Sequence, residues 1–240
     1  MPTTQFRNCF FVLCSKIVLL SLCMQAHAQS QIYVDDIRYM NRPFHFGVTM
    51  AINNSDFKYA LDTNYMKQYN VLDVQSVKGP GFSVGIVSDL HLSKKFDFRF
   101  VPDLAFAEKD LNFTQRKNDT VANKKTESVY IDCPFLFKYK SKPYKDMRMY
   151  VISGLKYNID LQSNADSRKA DDQIKIIAND VSLDYGFGFE FHLPMVTIAP
   201  EIKLSYGLMN VLKNDDKLIY SAVLKQLHSR MFMFSIHFEG

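Results

Sequence analysis

The segment "DYGFGFEFHLPM", Asp184 to Met195, restricts the fold of this chain more than any other feature. Tyr185, Phe187, Phe189, Phe191 and Leu193 fall on one alternate set, and Asp184, Gly186, Gly188, Glu190 and His192 on the other. Successive side chains point to opposite faces of a sheet, so period-two patterning is a strand signature. One face of this strand is a row of rings. The other carries glycines and ionisable groups.

The same reading predicts eight strands, over 43–53, 82–92, 96–108, 128–140, 147–158, 181–193, 196–208 and 227–238. Their connections alternate in length. "SKK", "SKPYKD" and "PM" are short, whereas 54–81, 109–127, 159–180 and 209–226 are long and polar. An even strand count with this asymmetry is the pattern of bacterial outer-membrane barrels. The expected fold is all-β: an eight-stranded antiparallel up-and-down transmembrane β-barrel in the bacterial outer membrane, with long extracellular loops, short periplasmic turns and both termini in the periplasm.

The first 28 residues read as a cleaved signal peptide. Arg7 and Lys16 give a basic start, "IVLLSLCM" is a short apolar run, and "AHA" is a small-x-small cleavage site. Leu22 is bulky where a lipoprotein signal before Cys23 wants a small residue. Residues 29–42 are then a periplasmic N-terminal segment and 43–240 the barrel. Cys9, Cys14 and Cys23 leave with the signal, so Cys133 remains and no internal disulfide can form. Losing Arg7 and Lys16 takes 29 basic residues to 27 against 25 acidic ones, a net of +2. With no basic stripe, nucleic acid is not an expected partner.

Alternation alone does not separate a membrane barrel from a soluble eight-stranded pocket barrel. Glycine does. Gly47, Gly85, Gly154, Gly186, Gly188 and Gly207 all fall on the polar set. Glycine weakens a strand interior, and a face bathed in water has no need of it. A narrow lumen filled by side chains does need it. The rings therefore face lipid, with Phe44, Phe46, Val48 and Met50, then Phe82, Val84 and Ile86, then Phe96, Phe98 and Phe100 continuing the set. Tyr157, Tyr185 and Tyr206 form an interfacial aromatic belt.

The inward set holds Asp97, Arg99, Asp103, Asp132, Lys138, Arg148, Lys156, Asp184, Glu190, Glu201 and Lys203. Unpaired charges are costly in so narrow a space, so ion pairs are expected to plug it and no continuous pore is expected. Pro102, Pro134 and Pro200 lie inside strands and are expected to mark bulges, which would flip the parity beyond them.

"RMFMFSIHFEG" ends the chain on an aromatic strand, similar to the signal read by the outer-membrane insertion machinery. Together with "FHFGV", "GPGFSVGIVSDLHLSKKFDFRFVPDLAFAEK", "YIDCPFLFKYKS" and "YGFGFEFHL", it resembles the PorT family of Bacteroidetes, over roughly Tyr39 to Gly240. That resemblance implies an outer-membrane barrel of the type IX protein secretion system, non-enzymatic, needed for export of cargo with a C-terminal sorting domain. It implies other secretion-system proteins as partners, alongside outer-membrane lipid, and carries no catalytic residues over. The alternative is a stand-alone small barrel with an adhesive or structural role.

His45, His91, His192 and His237 are all expected inward at the periplasmic rim. Such imidazoles suit zinc or proton sensing, or simply a polar rim. No short-spaced ligand pair supports a metal, so no metal and no cofactor are expected. For an enzyme, His228 beside Ser229, or Asp180 with Asp184, are the residues that could act at the outer rim; these types more often end strands. Cys133 is read as a small hydrophobe on the apolar face, and "GPG" at 79–81 as a turn leading into a strand. Tyr59, Tyr65 and Tyr69 in the first outer loop, and the turns "SKK" and "SKPYKD", are the expected partner surfaces.

Overall fold

The computed structural model describes residues 43–62, 65, 71–115, 120–144, 146–163, 175–213 and 223–240. Residues 1–28, expected to be a signal peptide, the segment 29–42 and Tyr69 lie outside the described residues. Nine strands form one antiparallel sheet: β1 (Phe44–Leu61), β2 (Val71–His91), β3 (Phe96–Phe100), β4 (Asp103–Gln115), β5 (Thr120–Lys140), β6 (Met147–Asp160), β7 (Asn179–His192), β8 (Thr197–Gly207) and β9 (Leu224–Glu239). β3 and β4 occupy one position between β2 and β5, interrupted at Val101 and Pro102, and β1 pairs with both β2 and β9. The sheet therefore closes into a ring of eight.

The registers fix its girth. Stepping from each residue to its partner leads from His45 through Asp89, Arg99, Leu136, Gly154, Asp184, Ser205 and Met231 to Ser55. One circuit thus climbs ten residues along β1. A stagger of ten over eight strands, at ~3.3 Å per residue and ~4.8 Å between strands, tilts the strands by about 40° and sets a backbone radius of about 8 Å. Side chains fill that bore.

Parity follows the alternation. Phe46, Val48, Met50 and Ile52 on β1, Phe82, Val84 and Ile86 on β2, Phe135 and Phe137 on β5, and Tyr185 and Phe187 on β7 are exposed on the outer wall. Stacked pairs such as Phe82 with Phe106 and Phe100 with Phe135, centroids 4.6 and 5.0 Å apart, tie neighbouring strands together there. This wall reads as the lipid-facing band of a membrane barrel. Among the described residues no helix is long and apolar enough to cross a membrane, which says nothing of a β-barrel.

The prolines do not mark bulges. The ladders run without a register shift past Pro134 on β5 and Pro200 on β8, and Asp97, Arg99, Val101 and Asp103 stay buried on one side of Pro102. Each proline removes one donor without inserting a residue: pairing of β7 with β8 skips the steps beside Pro200, then resumes in the same register. The shift in this region lies instead between Lys78 and Gly81, so "GPG" is a bulge within β2 rather than a turn.

Two of the expected long loops are largely strand. β1 and β2 run up through 54–61 and 71–81, and β4 and β5 through 109–115 and 120–127, so β2 and β5 reach 21 residues each. A bilayer needs only about 9–11. The surplus forms a tall end that stands clear of the apolar band. Inside it, Phe57, Val71, Val74, Leu111, Phe113, Ile176, Val211, Leu212, Val223, Leu224 and Leu227 make an apolar core.

Candidate functional site

At the height of the band, buried side chains of the described residues fill the lumen. Arg99 on β3 lies at its centre, fully buried, and donates through Nε and Nη2 to the two carboxylate oxygens of Asp89 on β2, at 2.7 and 2.8 Å. The same guanidinium reaches Glu239 on β9 at 2.5 Å and Glu201 on β8 at 3.2 Å. Lys138 on β5 bridges Asp89, at 2.9 Å, and Glu190 on β7. The Tyr150 hydroxyl of β6 donates to Glu201 at 3.0 Å, and its ring lies 4.6 Å from the Lys138 ammonium and 5.4 Å from the Arg99 guanidinium. Seven strands thus contribute to one charge-assisted network. Planar Arg99, with its five donors, is the residue type able to serve three carboxylates at once.

A second layer joins Lys156 on β6 to Asp132 on β5 at 2.9 Å, and Lys203 on β8 to Asp184 on β7 at 3.8 Å. Asp103 lies directly opposite Asp132, so three carboxylates share this layer with two ammonium groups. Arg148 is buried opposite Glu190. Above them Lys109 donates to the Tyr130 hydroxyl at 2.9 Å and to Ser229 Oγ at 2.6 Å, beneath Phe57 and the apolar core. The lumen is closed by salt bridges low down and by hydrocarbon at the tall end.

All eleven charges expected on the inward set, Asp97, Arg99, Asp103, Asp132, Lys138, Arg148, Lys156, Asp184, Glu190, Glu201 and Lys203, are buried. Sequence reasoning missed Asp89, Lys140, Glu239, Tyr150 and Lys109. For Asp89 and Glu239 the signal was present: each continues the inward parity of a strand whose outward residues were already assigned. Tyr150 carried no such signal, because an aromatic on the inward set reads as an exception until its ring is seen lying over Gly188 on the neighbouring strand.

The glycines are crowded by backbone more than by side chains. A Cβ at Gly47, Gly154 or Gly186 would overlap the carbonyl oxygen of Phe238, Phe135 or Ile202 on the adjacent strand. Curvature brings the next strand close on the concave side, and only an absent side chain permits it.

The four rim histidines divide among separate partners. His45 and His91 pack with ring centroids 4.6 Å apart, and His91 Nδ1 is 2.7 Å from Asp97, which Lys140 also meets at 2.6 Å. His192 Nδ1 is 3.1 Å from Thr197 Oγ1, and His237 Nε2 is 3.5 Å from Glu201. Among the described residues the grouping with metal-ligand spacing is a different one, Asp89, Glu190 and Glu239. Arg99 and Lys138 already bind these carboxylates, so the chain's own cations take the place a metal would need.

His228 and Ser229 diverge, as neighbours on a strand must. His228 stacks on Tyr206 on the outer wall, while Ser229 Oγ meets Lys109 inside. Asp180 and Asp184 are buried in the lumen. Of the tyrosines expected in the first outer loop, Tyr59 donates its hydroxyl to the Val74 carbonyl, and half-buried Tyr59 and Tyr65 pack against the apolar core. Burial, and then the Asp73 carboxylate, raise the Tyr59 phenol above its ordinary range.

Of the belt tyrosines, Tyr157 and Tyr185 are exposed on the outer wall, and Tyr185 sits opposite Leu204, two residues down β8 from half-buried Tyr206. Cys133 lies half-buried on the outward set.

An apolar outer wall, a salt-bridged bore and a ring of eight strands define a small, plugged outer-membrane barrel. Residues 27–213 match the family model of the outer membrane protein beta-barrel domain, and the chain belongs to that family. It is similar to three solved outer-membrane proteins. OprG from Pseudomonas aeruginosa is 13% identical, covering 82% of this chain and 93% of that one with a TM-score of 0.48. Neisserial surface protein A is 12% identical, covering 82% and 96%, with a TM-score of 0.46. Ail, the attachment invasion locus protein of Yersinia pestis, is 10% identical, covering 83% and 100%, with a TM-score of 0.37. No curated protein matches the chain.

Proposed function

We propose that this barrel is a non-enzymatic contact component of the protein-export machinery of the outer membrane, of the type IX system, with both termini and the short turns in the periplasm. The observation that carries the non-conducting, contact role is the Arg99 network, which fills the bore with side chains from seven strands. A bore closed in this way passes no polypeptide, so the work falls to the two ends. At the short-turn end Lys94, Lys95, Tyr144 and Met195 are exposed, with Met195 at 93% and Tyr144 at 71%. Exposed residues on tight turns of a rigid scaffold suit recognition of a periplasmic partner. The assignment to export rests on the likeness of "FHFGV", "YIDCPFLFKYKS" and "YGFGFEFHL" to the PorT family.

The second reading, a stand-alone barrel with an adhesive or structural role, is favoured by the tall β1–β2 and β4–β5 hairpins, which would project from the cell. Deleting the gene separates the two. Loss of surface delivery of cargo with a C-terminal sorting domain is the outcome export requires; normal delivery removes that reading. Orientation is tested in a Cys133→Ala background with a membrane-impermeant maleimide on intact cells. Lys125→Cys should label and Lys94→Cys should not.

A further inference from the structure

On the outer wall of β7, β8, β9, β1 and β2, at the height where the apolar band ends, lies a groove of about 430 Å³. Its polar side is formed by Lys58, Lys78, Arg230 and Asp56, and its walls include Tyr185 and Tyr206. Three cations thus face one carboxylate. Their positions are held: Arg230 donates through Nε and Nη2 to Asp56 at 3.0 and 2.8 Å, and the Lys58 ammonium sits 5.4 Å over the Tyr206 ring. At the groove's lower end, Phe232 and Leu204 are exposed and continue into the lipid-facing wall.

We infer that this groove binds the phosphorylated headgroup of an outer-leaflet glycolipid of the lipid A type. Fixed cations beside the bilayer attract phosphate, and Arg230 can offer it paired donors. The apolar floor runs acyl chains down the wall, which a soluble anion would leave uncovered. The exposed Tyr185 ring beside the cations gives a sugar a flat face to lie on. On the opposite wall Lys125 is instead paired with both Glu108, at 3.0 Å, and Glu127, at 2.8 Å. The choice of leaflet rests on the orientation proposed above; the groove's chemistry does not.

The test uses the full barrel, delipidated in detergent, titrated with diphosphoryl lipid A, dephosphorylated lipid A, phosphatidylglycerol and inorganic phosphate, with bound lipid counted by native mass spectrometry. Diphosphoryl lipid A should bind at one saturable site, tightest of the four. Lys58→Gln with Lys78→Gln should weaken it about thirtyfold, roughly fivefold for each lysine, while Lys125→Gln leaves it unchanged. Equal binding by the double variant, or phosphatidylglycerol or inorganic phosphate binding as tightly, overturns the inference. Orientation is read separately by the maleimide experiment. A barrel that binds lipid A but labels at Lys94→Cys loses its orientation and keeps its site; one that labels as expected yet ignores lipid A loses the site.

Discussion

Replacing Arg99 by Met removes the charge from the lumen while keeping a side chain of similar length. Glu239 and Glu201 then lose the guanidinium at 2.5 and 3.2 Å, and Asp89 keeps Lys138 alone. Breaking a buried pair by deleting one partner costs roughly 3–5 kcal/mol, because the remaining charge stays desolvated. Three acids share this cation, which places Arg99→Met toward the upper figure. With a urea slope of about 2 kcal/mol per molar, the unfolding midpoint should fall by about 2 M. The assay is urea unfolding in phospholipid vesicles, the folded fraction read from the faster gel mobility of unheated barrel. Adding Glu201→Gln and Glu239→Gln neutralises the stranded acids and should recover most of the loss. Repeating the single variant near about pH 4 should also shrink the deficit, since protonated carboxyls no longer need the cation. Lys125→Met, on the exposed wall, should not move the midpoint measurably. An Arg99→Met midpoint equal to that of Lys125→Met would refute the view that this network holds the barrel together.

Three further outcomes are expected. Phe135→Arg, at mid-height of the apolar wall, should destabilise the barrel in vesicles by about 2–4 kcal/mol, and Ile52→Arg, at its upper edge, by about 0–1 kcal/mol; equal costs would mean that the wall does not face a bilayer. Gly154→Val should prevent folding or lower the stability by at least about 1–3 kcal/mol, as its Cβ overlaps the Phe135 carbonyl; an unchanged gel shift would contradict this. In planar bilayers the barrel should show no steady ion current, and a stable single-channel conductance would contradict the closed lumen.

The barrel and its inside-out arrangement were legible because Phe, Tyr and Val alternate with Gly, Asp and Lys for ten residues at a time, and period two leaves only one face for each set. The lumen charges followed from parity alone. What parity could not supply was pairing: that Arg99 meets Glu239 depends on the ten-residue stagger, which brings residues from distant strands to one height. The tall end was misread for a definite reason. Along β1 the inward residues are His45, Thr49, Asn53 and Ser55 until Phe57, while the outward ones are Phe46, Val48, Met50 and Ile52 until Asp56 partners Arg230 and Lys58 follows. Parity never changes, but the polarity of each face reverses. Averaged over 54–61 the alternation cancels, and the segment reads as a polar loop.

That reversal is a physical marker of the membrane surface, independent of the tyrosines. Within hydrocarbon, the outer wall must be apolar and the bore takes the polar groups; once the outer wall meets water, burial follows the ordinary rule and hydrocarbon moves inside. Five strands cross from one regime to the other at a definite step: Ile52 to Asp56 on β1, Phe82 to Lys78 on β2, Phe106 to Glu108 on β4, Val129 to Glu127 on β5, and Phe232 to Arg230 on β9. The chain has no tryptophan, so a single introduced indole reports its own depth without background. In vesicles of brominated lipid, Phe232→Trp and Ile131→Trp should be quenched by the acyl bromines. His228→Trp and Lys125→Trp, only a few residues away on the same outer face, should escape them and be quenched by aqueous acrylamide. If Lys125→Trp is quenched by lipid as strongly as Ile131→Trp, the bilayer extends over the tall end. The reversal of polarity would then have some cause other than water on the outer wall.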